Sequence, residues 1–177
     1  MNIADQHCLR PSPSLDSMLT VRHHPLDVFR RLAIAENYDF DCPKEDEIRL
    51  TIHGLWCNHE VVITWCAQTE KLHLYLTFDG RNPGGRSDDM CRLLSLLNER
   101  LRAGHFDFWN RDDALVYRNT HSLCGGARLR VEQAQDLIAS AVDAGERGYP
   151  ACQYVLWAGK SPEDALTAAL LDLAASP

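Results

Sequence analysis

The chain has 177 residues, 45% of them hydrophobic, which suffices for the core of one domain and would be cramped for two. Its formal charge of −7 argues against a nucleic-acid surface, because phosphate binding needs clustered Lys and Arg in a positive field. The short basic patches, Arg22/His23/His24 with Arg30/Arg31 and Arg100/Arg102, carry no interleaved aromatic stacking platform. Met1 to Thr20 lacks the basic start and apolar run of an export signal, and no stretch approaches the ~20 apolar residues of a spanning helix. The protein therefore reads as cytoplasmic, with neither nucleic acid nor membrane as partner. Seven cysteines, at 8, 42, 57, 66, 91, 124 and 152, are odd in number and include no Cys-x-x-Cys pair, so reduced, mostly packed thiols are expected.

Residues 1–22, with Pro11 and Pro13 and no sustained period, read as a flexible N-terminal tail ahead of a folded domain over 23–174. Pro25 suits the first turn of a helix that carries Leu26, Phe29, Leu32 and Ala33, and Asn37 suits its left-handed terminator. Three alternating apolar stripes follow, Ile48/Leu50/Ile52, Val61/Ile63/Trp65 and Leu72/Leu74/Leu76/Phe78. They predict an antiparallel meander with one apolar face. A turn at Cys57 and Asn58 would pair Ile52 with Ile63 and Leu50 with Trp65. A turn at Thr69 and Glu70 would pair Trp65 with Leu74, Ile63 with Leu76 and Val61 with Phe78. The opposite face then carries Arg49, Thr51, His53, Val62, Thr64, Cys66, His73, Tyr75 and Thr77, and is expected to be wet.

A Pro-Gly linker around Pro83 leads to Ser87, an N-cap candidate before Asp88 and Asp89, and to a helix with Met90, Leu93, Leu94, Leu97 and Leu101 that should stop at Gly104. A second hairpin, turning at Arg111 to Asp113, would set Asp107 opposite Arg118 and Trp109 opposite Val116. If exposed, that ion pair contributes ~0.2 to 1 kcal/mol. After a Gly-Gly bend a helix starts at Arg130, is interrupted around Gly145, Gly148 and Pro150, and resumes to Gly159. Ser161 with Pro162 then launches a last helix. The predicted fold class is α+β, in the order α-β-β-β-α-β-β-α with the last helix broken into segments.

No short motif specifies a reaction. Gly84-Gly85-Arg86-Ser87 lacks the spacing of a phosphate loop, and Leu123-Cys124-Gly125-Gly126 lacks a nucleophile-elbow frame. The expected register puts His73 opposite Cys66, with His53 on the same face and Cys57 with His59 at the far hairpin end. A zinc site needs three or four ligands converging at about 2.0 to 2.3 Å, and a Cys-His nucleophile pair needs a third, orienting group. Ordinary surface histidines are the simpler reading, so no metal and no cofactor is expected. Trp56, Trp109 and Trp157 are candidate half-exposed aromatics near turns or helix ends.

Two segments carry a resemblance. From Gly104 through His105-Phe106-Asp107-Phe108 to Trp109, and again from Tyr149 to Leu166, the chain resembles the YbjN-domain family of bacterial proteins, as it does in the Pro25-Leu26-Asp27 helix, the meander and Leu97-Asn98-Glu99. The likeness covers roughly residues 24 to 173. That family is described as regulators of sensory transduction and is similar in fold to type III secretion chaperones, which implies a twisted antiparallel sheet with helices, commonly in a homodimer. It has no established catalytic residues. The resemblance implies a non-enzymatic regulatory or chaperone-like module that binds another protein or peptide, with His105, Asp107, Trp109, Arg118 and Trp157 as candidate binding residues. The competing expectation is a small hydrolase or metal-dependent enzyme using Cys66, His73 and His53.

Overall fold

A computed structural model of the chain describes residues 24–78, 84–109 and 114–175. The expected tail over 1–22, most of the Pro-Gly linker and the turn at Arg111 to Asp113 lie outside the described residues. The elements are α1 (Leu26–Ala35), β1 (Asp39–Lys44), β2 (Glu47–His53), β3 (Asn58–Cys66), β4 (Lys71–Phe78), α2 (Ser87–Asn98), β5 (His105–Trp109), β6 (Ala114–Ser122), α3 (Val131–Leu156) and α4 (Pro162–Ala175).

Helix α1 begins at Pro25 and buries Leu26, Phe29, Leu32 and Ala33. Asn37, at φ 55°, reverses the chain: the Asn37 N–H reaches the Ile34 carbonyl at 3.4 Å and the Tyr38 N–H the Ala33 carbonyl at 2.9 Å. That pair of bonds satisfies carbonyls the helix leaves open. The reversal feeds β1, a strand absent from the expected order. Its six residues are almost all exposed and include Pro43, so it has no apolar stripe to read. Among the described strands it pairs only with β2, and its register shifts between Asp41 and Lys44, which suits an edge strand.

The meander forms with its apolar residues on one face, in registers that differ from those expected. Ile48 pairs with Ile63, Leu50 with Val61 and Ile52 with His59; Val61 pairs with Leu76, Ile63 with Leu74 and Trp65 with Leu72. Each displacement is an even number of residues, so every side chain keeps its side of the sheet. The first turn lies earlier than expected, closed by the Gly54 N–H on the Cys57 carbonyl at 3.0 Å. Asn58 and His59 thereby become strand residues.

The sheet order is β1-β2-β3-β4-β6-β5, all neighbours antiparallel. The connection through α2 places β5 on the outer edge and β6 against β4. The four α-helices among the described residues lie on the apolar face, where Ile48, Leu50, Ile63, Leu74, Leu76, Phe106, Tyr117, Leu137, Ala141 and Val155 belong to one continuous core. Helix α2 ends at Asn98 rather than at Gly104, so Leu101 falls beyond it. Asn98 instead binds the edge strand, its Oδ1 accepting the Phe106 N–H at 2.7 Å and its Nδ2 donating to the Phe106 carbonyl at 3.1 Å.

Helix α3 runs unbroken through Gly145, Gly148 and Pro150, where an interruption was expected. The glycines serve packing: a Cβ on Gly145 would stand 2.8 Å from His59 Cε1, and one on Gly148 2.6 Å from Phe106 Cζ. Close seating of the helix on the sheet offsets the propensity cost of two glycines and a proline. The C-terminal helical region divides between Leu156 and Pro162, where the second expected break falls. There Gly159 takes φ 67°, and Ser161 caps α4 by accepting the Asp164 N–H at 3.2 Å. Among the described residues no helix is long and apolar enough to cross a membrane.

Candidate functional site

Opposite the helices, the other face of the sheet has no covering layer among the described residues. Strand pairing fixes a row across it: Asp41, Arg49, Val62, Tyr75, Arg118 and His105 stand side by side on β1, β2, β3, β4, β6 and β5. A parallel row carries Thr51, Glu60, Thr77, Val116 and Asp107. Trp109 on edge strand β5 leans over β6 and meets the Tyr75 ring of β4 edge-on, with centroids 5.7 Å apart. Val116 stands between them on the same face and is 0% exposed, although no helix among the described residues covers it. Tyr75 also stacks on His73, centroids 6.4 Å apart. The result is an aromatic ridge beside a cavity of about 420 Å³ lined by His73, Tyr75, Gly104, His105, Arg118, Asn119 and Thr120.

Polar groups flank the ridge. Arg118 Nε donates to His105 Nε2 at 2.7 Å and its Nη2 lies 3.2 Å from Asp107 Oδ2. Because the guanidinium can only donate, His105 Nε2 is the acceptor and its proton sits on Nδ1. The other carboxylate oxygen of Asp107 accepts the Phe108 N–H at 2.9 Å. Farther along the face, Glu47 lies 2.7 Å from Arg49 and 3.1 Å from Lys44. The Arg49 hydrogen bond first, then that of Lys44, hold its carboxyl below the ordinary value.

The structure brings four of the five candidate binding residues together here: His105, Asp107, Trp109 and Arg118. Their registers are shifted from those expected, His105 facing Arg118, Asp107 facing Val116 and Trp109 facing Ala114. The Asp107–Arg118 ion pair survives as a diagonal contact. Trp157 stands apart, 63% exposed at the end of α3 in the helical layer.

The residues of the hydrolase expectation do not converge. Cys66 faces Lys71 and His73 faces Thr64; the thiol contacts Gln68 Oε1 at 3.3 Å and His73 Nδ1 contacts Thr120 Oγ1 at 3.2 Å. The Cys66 thiol is nonetheless held below its ordinary value, chiefly by a hydrogen bond from the Thr69 side chain. His53 pairs with Asn58, eight residues from Cys66 along β3, about 26 Å at strand rise. Among the described residues no three of His, Cys, Asp and Glu form a group that could hold a metal ion. One polar contact escaped sequence reasoning: buried His59 Nε2 lies 2.7 Å from Glu146 Oε1 on α3. Its only sequence signal was parity, which puts His59 in the stripe of Val61 and Ile63 and says nothing of a partner 87 residues away.

A chain in the crystal structure of the ExsC–ExsE complex superposes with a TM-score of 0.52 at 17% identity, covering 68% of this chain and 86% of that one. The chain belongs to the YbjN family, whose model, described as "Putative bacterial sensory transduction regulator", matches residues 25–154. The crystal structure of YbjN from E. coli is similar over 67% of this chain and 84% of its own, at 14% identity and a TM-score of 0.48. No curated protein sequence matches the chain.

Proposed function

We propose that the chain is a non-enzymatic, cytoplasmic regulatory or chaperone-like module that binds another protein on the open face of its sheet, and that it acts as a homodimer. The observation that carries this reading is the aromatic ridge of Trp109, Tyr75 and His73 beside Arg118, His105 and Asp107, on a face that the described helices leave uncovered. Aromatic and Arg side chains are the residue types that dominate binding energy at protein interfaces. An extended or helical peptide could lay apolar side chains on the ridge and a carboxylate or carbonyl against Arg118. Membership of a regulator family supports the reading, and the chain of similar fold in the ExsC–ExsE crystal structure is part of a complex.

The test is affinity capture from the source cell with the wild-type chain and three variants. A partner retained by wild type and Trp157→Ala but lost with Trp109→Ala and Arg118→Glu supports the face named here. Loss with Trp157→Ala alone would move the interface to the helical layer. Absence of any partner, together with turnover in a substrate screen, would overturn the binding reading in favour of an enzyme.

A further inference from the structure

A second group of residues gathers at the tip of the β2–β3 hairpin, on the side covered by α3. His59 is 1% exposed, and Oε1 of Glu146 accepts both the His59 Nε2 hydrogen at 2.7 Å and the Leu55 N–H at 2.8 Å. A carboxylate oxygen only accepts, so Nε2 carries the proton and the ring lone pair sits on Nδ1. Nδ1 lies 3.9 Å from Sγ of Cys57. The other carboxylate oxygen, Glu146 Oε2, is buried without a hydrogen-bond partner among the described residues. Two glycines make the room: a Cβ on Gly54 would clash with Glu146 Oε1 and stand 2.6 Å from His59 Cδ2, and one on Gly145 would stand 2.8 Å from His59 Cε1. Thiol, imidazole and carboxylate thus form a relay in which each group orients the next.

We propose that Cys57 is a reactive thiol that exchanges with low-molecular-weight disulfides, with His59 as its base and Glu146 as the positioning residue that fixes the imidazole. The Cys57 S–H proton passes to His59 Nδ1, and the imidazolium is stabilised by the Glu146 carboxylate. The thiolate attacks one sulfur of the disulfide; a new S–S bond forms to Cys57 as the reagent's own S–S bond breaks. The departing thiolate takes the proton from His59, so no net charge, water or further oxidant is consumed. The product stands as a mixed disulfide beside the exposed Leu55 and Trp56. The site is independent of the open sheet face.

Oxidised glutathione at neutral pH, followed by acid quench and mass spectrometry of each cysteine-containing peptide, tests this on the wild-type chain. Cys91 and Cys124 are exposed whereas Cys57 is half-buried, so accessibility alone predicts that Cys57 reacts more slowly. The expected result is the reverse, Cys57 modified about tenfold faster than either. Its rate should level off near neutral pH while that of Cys91 keeps rising. In Glu146→Gln the Cys57 rate should fall and its pH profile rejoin that of Cys91, with the rate at Cys66 unchanged as internal reference. Cys57 reacting no faster than Cys91 in the wild type, or unaltered in a folded Glu146→Gln protein, would overturn the proposal. Should the variant fail to fold by circular dichroism, the wild-type comparison decides alone.

Discussion

Arg118 donates to His105 and pairs with Asp107, and all three side chains meet solvent. A pair of that kind contributes ~0 to 1 kcal/mol, too little to explain by stability alone why one guanidinium holds two partners. Arg118→Ala should therefore lower the unfolding free energy in urea by no more than ~1 kcal/mol while weakening partner capture. A larger loss of stability would reassign the pair to holding the hairpin. At this scale the sequence was legible in type and face: parity placed Asp107, Trp109 and Arg118 together, whereas the histidines were expected at the surface and His59 is buried. Which residue each one touches was not legible. The Trp109–Tyr75 contact crosses an intervening strand, and Glu146 reaches His59 from a distant helix.

Among the elements, α3 shows where local propensity and packing pull in opposite directions. A helix interior ordinarily gains about 1 kcal/mol when Gly becomes Ala. At Gly148 the new Cβ would meet Phe106, a 3% exposed ring hemmed by Phe78 and Tyr117 at 5.9 and 5.6 Å between centroids. Overpacking such a ring costs about 1 to 3 kcal/mol, so the clash outweighs the gain. Gly148→Ala is expected to destabilise by up to ~2 kcal/mol in thermal or urea unfolding; a stabilised variant would mean that the helix can lift off the sheet. Glycines and a proline look like breakers when only the chain is read, because their reason lies on the sheet beneath. β1 stayed hidden for the opposite reason, since an exposed edge strand buries no stripe. The α1 terminator at Asn37 and the Ser161 cap were readable because their bonds are local.

For the molecule as a whole, apolar side chains on one face of the sheet followed from alternation alone, because an even slip in register moves no residue between faces. The order of strands did not, since the crossover through α2 decides which strand of the second hairpin meets β4. The homodimer belongs to this scale. Light scattering at tens of micromolar is expected to give twice the chain's mass of 20.0 kDa, in a range where weak association is still populated. A monomer there would remove the homodimer from the proposal and leave the open face to a different chain.

The β5 margin bears on what such an assembly can become. The outward N–H of Phe106 is held by Asn98 and that of Phe108 by Asp107, so a strand arriving from outside finds these donors engaged. Among the described strands the other margin, β1, is the one still open, and Pro43 with its shifted register narrows it further. A sheet with two receptive margins can add copies without limit; one with a single receptive margin has a valence of one. Edge-to-edge joining of this chain would therefore stop at a closed pair, with Asn98 standing as the stopper against fibre growth.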